Sequence, residues 1–189
     1  STRPSPVSGA FRYRAALPSD YPVTGDFVAC REGQEAWVIE QVLPRRGTLS
    51  RKTAGKLEEQ QLLAANLDGV FLVFALDGGR GFVPGLVERL LTLARDGGVT
   101  PVVLLNKADL AESLPPQLEA ARACAPGVEV LATSAATGQN VHALRERLET
   151  GRTYLFLGKS GVGKSSLLNA LFGKEVAKTA ETRAADGKG

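Results

Sequence analysis

Methionine is absent from the chain, cysteine occurs twice, and histidine and tryptophan occur once each. Two cysteines as distant as Cys30 and Cys124, with one histidine, cannot assemble an ordinary zinc site. Both read as buried, reduced thiols. No apolar run approaches the roughly 20 residues needed to cross a bilayer, and the polar, proline-containing start, Ser1 to Ser8, does not resemble a signal peptide. The expectation is a cytoplasmic chain with no membrane partner. Neither sign of charge dominates, because 23 Lys and Arg face 20 Asp and Glu for a net +3, so nucleic-acid binding has to be argued from local patches. The missing methionine, at position 1 included, leads us to expect that the 189 residues are processed or cut from something longer. That length allows one large domain, or a small one and a medium one.

What the chain has in quantity is glycine, 21 residues, and one cluster of it organises the rest. Gly158, Lys159, Ser160, Gly161, Val162, Gly163, Lys164 and Ser165, followed by Ser166, fit the phosphate-binding pattern G-x-x-x-x-G-K-[ST]. The apolar run Tyr154–Leu157 precedes the cluster, and a helical pattern with Leu167, Leu168, Ala170 and Leu171 follows it. Glycines let successive backbone N–H groups turn inward, so the loop and the next helix's N-terminus can wrap an oligophosphate. Lys164 would then reach the β- and γ-phosphates and Ser165 would ligate Mg²⁺, which makes these two the candidate catalytic residues. The bland alternative is a glycine-rich turn in an α/β protein.

Taken in order, residues 1 to about 44 read as short β-strands joined by turns. Phe11, Tyr13 and Ala15 alternate with arginines, and residues 35–43 form a second β-rich run punctuated by Pro18, Pro22, Gly25 and Gly33. A small barrel or sheet packages such strands, although its beginning reads as shortened. Residues 44–56 carry Arg45, Arg46, Arg51, Lys52 and Lys56 without an acidic residue, which reads as a flexible basic connector suited to a phosphate backbone or as a solvated linker. From Leu57 the period changes. Helices expected near 58–65, 84–94, 116–124 and 141–148 alternate with apolar runs at 70–76, 101–105, 128–133 and 154–157, implying a parallel sheet covered on both faces. The expected domains are therefore 1–56, small and all-β, and 57–189, α/β.

At the end of the second buried run stands N-K-x-D, here Asn106, Lys107, Ala108 and Asp109. A carboxylate at Asp109 can accept hydrogen bonds from guanine's N1–H and exocyclic amine, and adenine offers no such pair of donors. Asn106 would pin the loop or contact the base, and the Lys107 stem would cover the base's face. After the third run, Thr133, Ser134 and Ala135 could bring the Ala135 N–H to the guanine O6, or could be an ordinary turn with Thr137 or Asn140 helping to cap the next helix. Trp37 could stack on a base, although one tryptophan in an apolar strand is more often core. His142 reads as structural or exposed.

These motifs occur with the base-reading residues ahead of the phosphate loop, and the chain resembles the circularly permuted GTPases. Among them it is similar to the ribosome small-subunit-dependent GTPase A family, RsgA or YjeQ. Gly25–Asp26–Phe27–Val28, Leu43–Pro44–Arg45, Gln60 and Ala64–Ala65–Asn66–Leu67–Asp68 carry the resemblance together with the two nucleotide motifs. It implies an N-terminal OB-fold, a permuted GTPase domain with a Ras-like parallel sheet, and GTP hydrolysis to GDP stimulated by the small ribosomal subunit during its late maturation. The cofactors it implies are GTP or GDP and Mg²⁺, with a structural zinc in a further C-terminal domain, and the partners are the small subunit and its rRNA for a chain acting as a monomer. Family members continue into a switch segment and a D-x-x-G motif. Asp186–Gly187–Lys188–Gly189 matches that motif literally but follows no apolar strand, so it reads as a chance match. The chain is expected to be part of a longer protein, to bind guanine nucleotide weakly alone and to hydrolyse hardly any. Two other readings are an OB-type rRNA-binding module whose nucleotide site regulates docking, and an ATP-dependent P-loop enzyme.

Overall fold

The alternation around Phe11 reads as a strand, but in the computed structural model, which describes residues 6–33, 35–52, 60–78, 81–173 and 176, Gly9–Arg14 form a helix, α1. Ser8 decides the matter: its Oγ accepts the Phe11 N–H at 3.0 Å, which is an N-cap, and within α1 only Phe11 is buried. Strands β1 (Val28–Glu32) and β2 (Trp37–Val42) then pair antiparallel, and β3 (Leu49–Lys52) pairs antiparallel with β4 (Gln60–Ala64). Two small antiparallel pairs are consistent with an OB-like domain.

Four expectations change here. The helix expected over 58–65 is strand β4 from Gln60 to Ala64, because pairing with β3 outweighs the helix propensity of its Gln, Leu and Ala residues. The basic stretch is not a flexible connector throughout, since Leu49–Lys52 lie in β3, while Lys56 falls outside the described residues. The thiols are not buried: Cys30 is exposed and Cys124 half-buried. Trp37 is 56 % exposed, so it is not a core residue.

Asp26 and Arg45 hold the first unit together. Arg45 donates from Nε and Nη2 to both Asp26 carboxylate oxygens at 2.8 and 2.7 Å, and from Nη1 and Nη2 to the Ser19 and Tyr21 carbonyls at 2.6 and 2.9 Å. The Asp26 side chain is only 1 % exposed and also accepts the Val23 N–H. Asn66 adds a second tie, donating to the Gly25 carbonyl and accepting the Arg46 N–H, both at 2.9 Å. One of the five cations expected to face a phosphate backbone is thus fixed inside the fold.

Two compact units result, Ser1–Asp68 with Leu93–Val99, and Gly69–Thr92 with Thr100–Gly189. The join expected after Lys56 lies between the two strands of one pair, and the first unit runs on to Asp68. From Gly69 onward, β5 (Gly69–Ala75) is followed by α2 (Pro84–Asp96), whose last turn counts with the first unit, then β6 (Thr100–Asn106), α3 (Leu114–Cys124), β7 (Glu129–Ala132), α4 (Val141–Arg145), β8 (Tyr154–Leu157) and α5 (Lys164–Phe172). The four strands are parallel in the order β7-β6-β5-β8. All seven β5 residues are buried, as its unbroken apolar run requires of a central strand covered on both faces.

One face packs Phe71, Val73 and Leu104 against Val141 and Leu144 of α4 and Leu167 and Leu171 of α5. Burying each such side chain contributes about 1.5–3 kcal/mol. Helix α4 stops at Arg145, short of the expected 148, and Arg147 beyond it pairs through Nε with Glu129 of β7 at 2.9 Å. Strands β5, β6 and β7 step outward in one direction, whereas β8 returns to the other side of β5. That reversal is where open α/β sheets leave a crevice beyond their carboxyl ends.

Burial alone would raise the Asp26 carboxyl, but the Arg45 hydrogen bonds, the Val23 N–H and the Arg45 charge outweigh it and hold the group below the usual aspartate value. A depressed carboxyl stabilises the fold above its unfolded pKa, so this contribution is present at neutral pH and is lost on acidification below about pH 4. Asp26→Ala is expected to cost about 3 kcal/mol in urea unfolding at pH 7, with Asp26→Asn losing part of the parent's acid sensitivity. Equal urea midpoints for the parent and Asp26→Ala would contradict the role given to this pair.

Candidate nucleotide site

Strand β8 delivers the glycine loop to the carboxyl edge of the sheet, and α5 carries the chain away from it. The loop's backbone lies so close to its neighbours that two of its glycines leave no room for a side chain. A Cβ on Gly158 would stand 2.3 Å from the Val73 carbonyl oxygen. One on Gly163, whose φ is +93°, would stand 2.3 Å from Nδ2 of Asn106. Val162 turns its side chain into the core at 3 % exposure, so it anchors the loop while Lys159, Ser160 and Gly161 face solvent. The Leu167 N–H closes onto the Gly163 carbonyl at 2.9 Å and starts α5, with Lys164, Ser165 and Ser166 half-buried in its first turn.

Lys164 curls back over the loop and donates from Nζ to the carbonyls of Gly158 and Lys159 at 2.9 and 2.8 Å. Burial lowers its pKa below the usual lysine value. A polyanion in the loop would favour the charged form again. The amides at the start of α5 and the Lys164 ammonium together suit an oligophosphate. Mg²⁺ fits the donor set, since this ion takes one or two protein oxygens and fills its remaining positions with phosphate oxygens and water, and the Ser165 hydroxyl supplies one such oxygen.

The N-K-x-D residues stand at the end of β6. Asn106 is 1 % exposed, and its Nδ2 donates to the Val162 carbonyl at 2.8 Å while its Oδ1 accepts from the Thr133 hydroxyl at 3.4 Å. Backbone bonds continue the join: Thr133 N–H to the Leu105 carbonyl at 2.8 Å, and Ala108 N–H to the Thr133 carbonyl at 3.0 Å. Three loops, after β6, β7 and β8, therefore meet at one buried amide. Of the two tasks open to Asn106, pinning its loop is visible in these contacts.

Lys107 adopts the left-handed conformation (φ 60°, ψ 38°) and its Nζ lies 2.7 Å from Oδ2 of Asp77. Ala108 is buried, and Asp109 follows on a short 3-10 turn with an exposed side chain. Ser134 is buried, and its Oγ accepts the Thr137 N–H at 3.1 Å, which holds the third loop in shape. Ala135, half-buried, comes next. Asn140 does not cap α4 with its side chain but donates it to the Ala132 carbonyl at 2.8 Å. His142 is exposed, near Glu146 at 3.5 Å.

The motif residues from 106 to 109, from 134 to 135 and from 158 to 166 thus share one edge of one sheet. Two contributors escaped the sequence reading. Thr133 counted there as part of the third loop but not as a partner of Asn106, and Asp77 not at all, although it follows an apolar run that pairs in register with the one ending in Asn106.

A parallel sheet with a glycine phosphate loop at its strand-order reversal, preceded in sequence by its base-reading loop, defines a circularly permuted domain of the P-loop GTPase type. The model of the RsgA GTPase family matches residues 42–189, and the chain belongs to that family. Among its relatives, "Small ribosomal subunit biogenesis GTPase RsgA 2" of Lactiplantibacillus plantarum is 36 % identical over 188 residues, covering 99 % of this chain and 53 % of that protein. "Small ribosomal subunit biogenesis GTPase RsgA" of Streptomyces avermitilis is 43 % identical over 173 residues, covering 88 % and 45 %. The chain spans about half the length of the curated relatives it matches. The crystal structure of YjeQ from Thermotoga maritima superposes with a TM-score of 0.62 at 29 % identity, covering 87 % of this chain and 55 % of that one. YloQ, described as a circularly permuted GTPase, shares the fold with a TM-score of 0.56 over 86 % of this chain and 52 % of its own.

If the Asn106 amide ties the loops, Asn106→Asp should loosen the phosphate loop, because it sets a carboxylate oxygen against the Val162 carbonyl at a cost of about 1–3 kcal/mol. Hydrogen exchange of the amides from Gly158 to Gly163 is expected to quicken in the folded variant. Unchanged exchange there would remove the tie from the account.

Proposed function

We propose that the chain binds GTP and GDP, and that within its complete protein it hydrolyses GTP to GDP during late maturation of the small ribosomal subunit. The observation that carries this reading is the buried Asn106 amide, which joins the N-K-x-D loop to the glycine loop so that one ligand can occupy both. Asp109 accepts guanine's N1–H and exocyclic amine, the Lys107 stem covers the base, and Ala108 with Ser134 sets the loop that offers the Ala135 N–H to O6. Gly158, Lys159, Ser160, Gly161, Val162 and Gly163 cradle the phosphates with their backbone, and Ser166 extends that cradle into α5. Lys164 places its charge on the β- and γ-phosphates, where negative charge grows as the terminal phosphoryl group leaves. The Ser165 hydroxyl would hold Mg²⁺, which would supply Lewis-acid neutralisation of phosphate charge.

The first unit is assigned the rRNA-facing role. Exposed Trp37, with Arg31, Arg46 and Arg51 on the same unit, supports stacking and phosphate contacts. Monomeric action in the cytoplasm on the small subunit belongs to this proposal, and the structural zinc implied by the resemblance is assigned to sequence outside these 189 residues.

Titration with fluorescent GDP and competition by GTP, GDP and ATP tests the base reading. GTP and GDP are expected to displace the probe and ATP to need about 100-fold more, since the wrong base leaves the Asp109 carboxylate without its two donors. Asp109→Asn is expected to move the preference toward xanthine nucleotides. Equal competition by ATP and GTP would overturn the assignment.

A further inference from the structure

We propose that Asp77 is a positioning residue of the base pocket: its carboxylate fixes the Lys107 ammonium so that the lysine's aliphatic stem stands in place before a nucleotide arrives. The inference rests on the guanine-site reading and deepens it. Asp77 belongs to neither nucleotide motif and follows β5, 30 residues before Lys107.

The sheet brings the two residues to neighbouring strand ends. Ala75 pairs with Asn106 in the parallel register, and the Leu76 N–H reaches the Asn106 carbonyl at 2.9 Å, carrying the ladder one residue further. Lys107 directly follows Asn106, and Asp77 lies just past Leu76, one position beyond the residue opposite Lys107, so the two side chains leave neighbouring strand ends with their charged atoms 2.7 Å apart. Lys107 holds a left-handed backbone that few residues other than glycine adopt, so its side chain leaves the loop in a direction set by the fold.

A lysine with a free end samples many rotamers, and a stem that must lie along a purine face has to give them up on binding. Ordering the stem in advance removes that cost from the binding step. The side chains keep 23 % and 30 % of their exposure, so water screens much of the attraction and the pair acts mainly by orientation. A preformed wall shows itself chiefly in how slowly ligand leaves.

The test is stopped-flow dissociation of N-methylanthraniloyl-GDP from the full chain and from Asp77→Ala, Asp77→Asn, Lys107→Ala and the Asp77→Ala/Lys107→Ala double variant, with thermal midpoints recorded in parallel. Asp77→Ala is expected to speed dissociation about 3- to 10-fold, with Asp77→Asn intermediate because it keeps an acceptor. Lys107→Ala is expected to do at least as much, and the double variant to dissociate no faster than Lys107→Ala alone. A purely structural Asp77 would instead lower the midpoint and add its effect in the Lys107→Ala background, which would overturn the proposal. Dissociation unchanged in both Asp77 variants would overturn it as well. A parent chain that fails to bind the labelled GDP would remove the guanine reading and this inference together, whereas a parent that binds with indifferent Asp77 variants removes only this one.

Discussion

A single side-chain amide, that of Asn106, sets the geometry on which the rest of the second unit's chemistry depends. Its donor and acceptor ends engage two different loops, and it is buried almost completely, so water cannot replace either partner cheaply. The glycine at 163 is the other half of the same contact, because a methyl group there would occupy the space the amide needs. Through these two residues the loop that approaches a base and the loop that approaches phosphates become one rigid object. Preorganisation of that kind lets a flexible nucleotide be gripped at both ends without reordering the protein.

The second unit was largely legible in the sequence because its signals are local. An unbroken apolar run such as Val70–Leu76 has few alternatives to a central parallel strand, and the glycine loop announces its own backbone. The first unit was not legible, for the opposite reason. Residues 60–64 are made of good helix formers, Gln, Leu and Ala, and only a strand some ten residues earlier makes them β. Phe11, Tyr13 and Ala15 alternate like a strand, yet one serine hydroxyl upstream caps a single helical turn and a half. Arg45 shows a further limit: in a run of cations it counts as surface charge, and only the fold reveals the carboxylate and carbonyls that surround it.

The site divides along the same line. The roles open to Lys164 and Asp109 follow from their motifs, whereas the partner of Lys107 depends on strand register, a non-local quantity. Sequence likewise left the task of Asn106 undecided between holding a loop and touching a ligand. The structure shows the loop contacts, with Val162 and Thr133 at hydrogen-bond distance, and both are more than 25 residues away along the chain.

The position of β8 has a consequence for how the molecule comes into being. Its docking place beside β5 is set by residues emerging from the ribosome about 85 positions earlier, and its register with Gly69–Leu72 closes a long loop. In N-to-C synthesis the N-K-x-D loop can therefore order while the glycine loop is still unmade. The reversed order of the motifs, invisible in the finished geometry, becomes a schedule: in a nascent chain Asn106 stands in place before the loop it will tie down has been made.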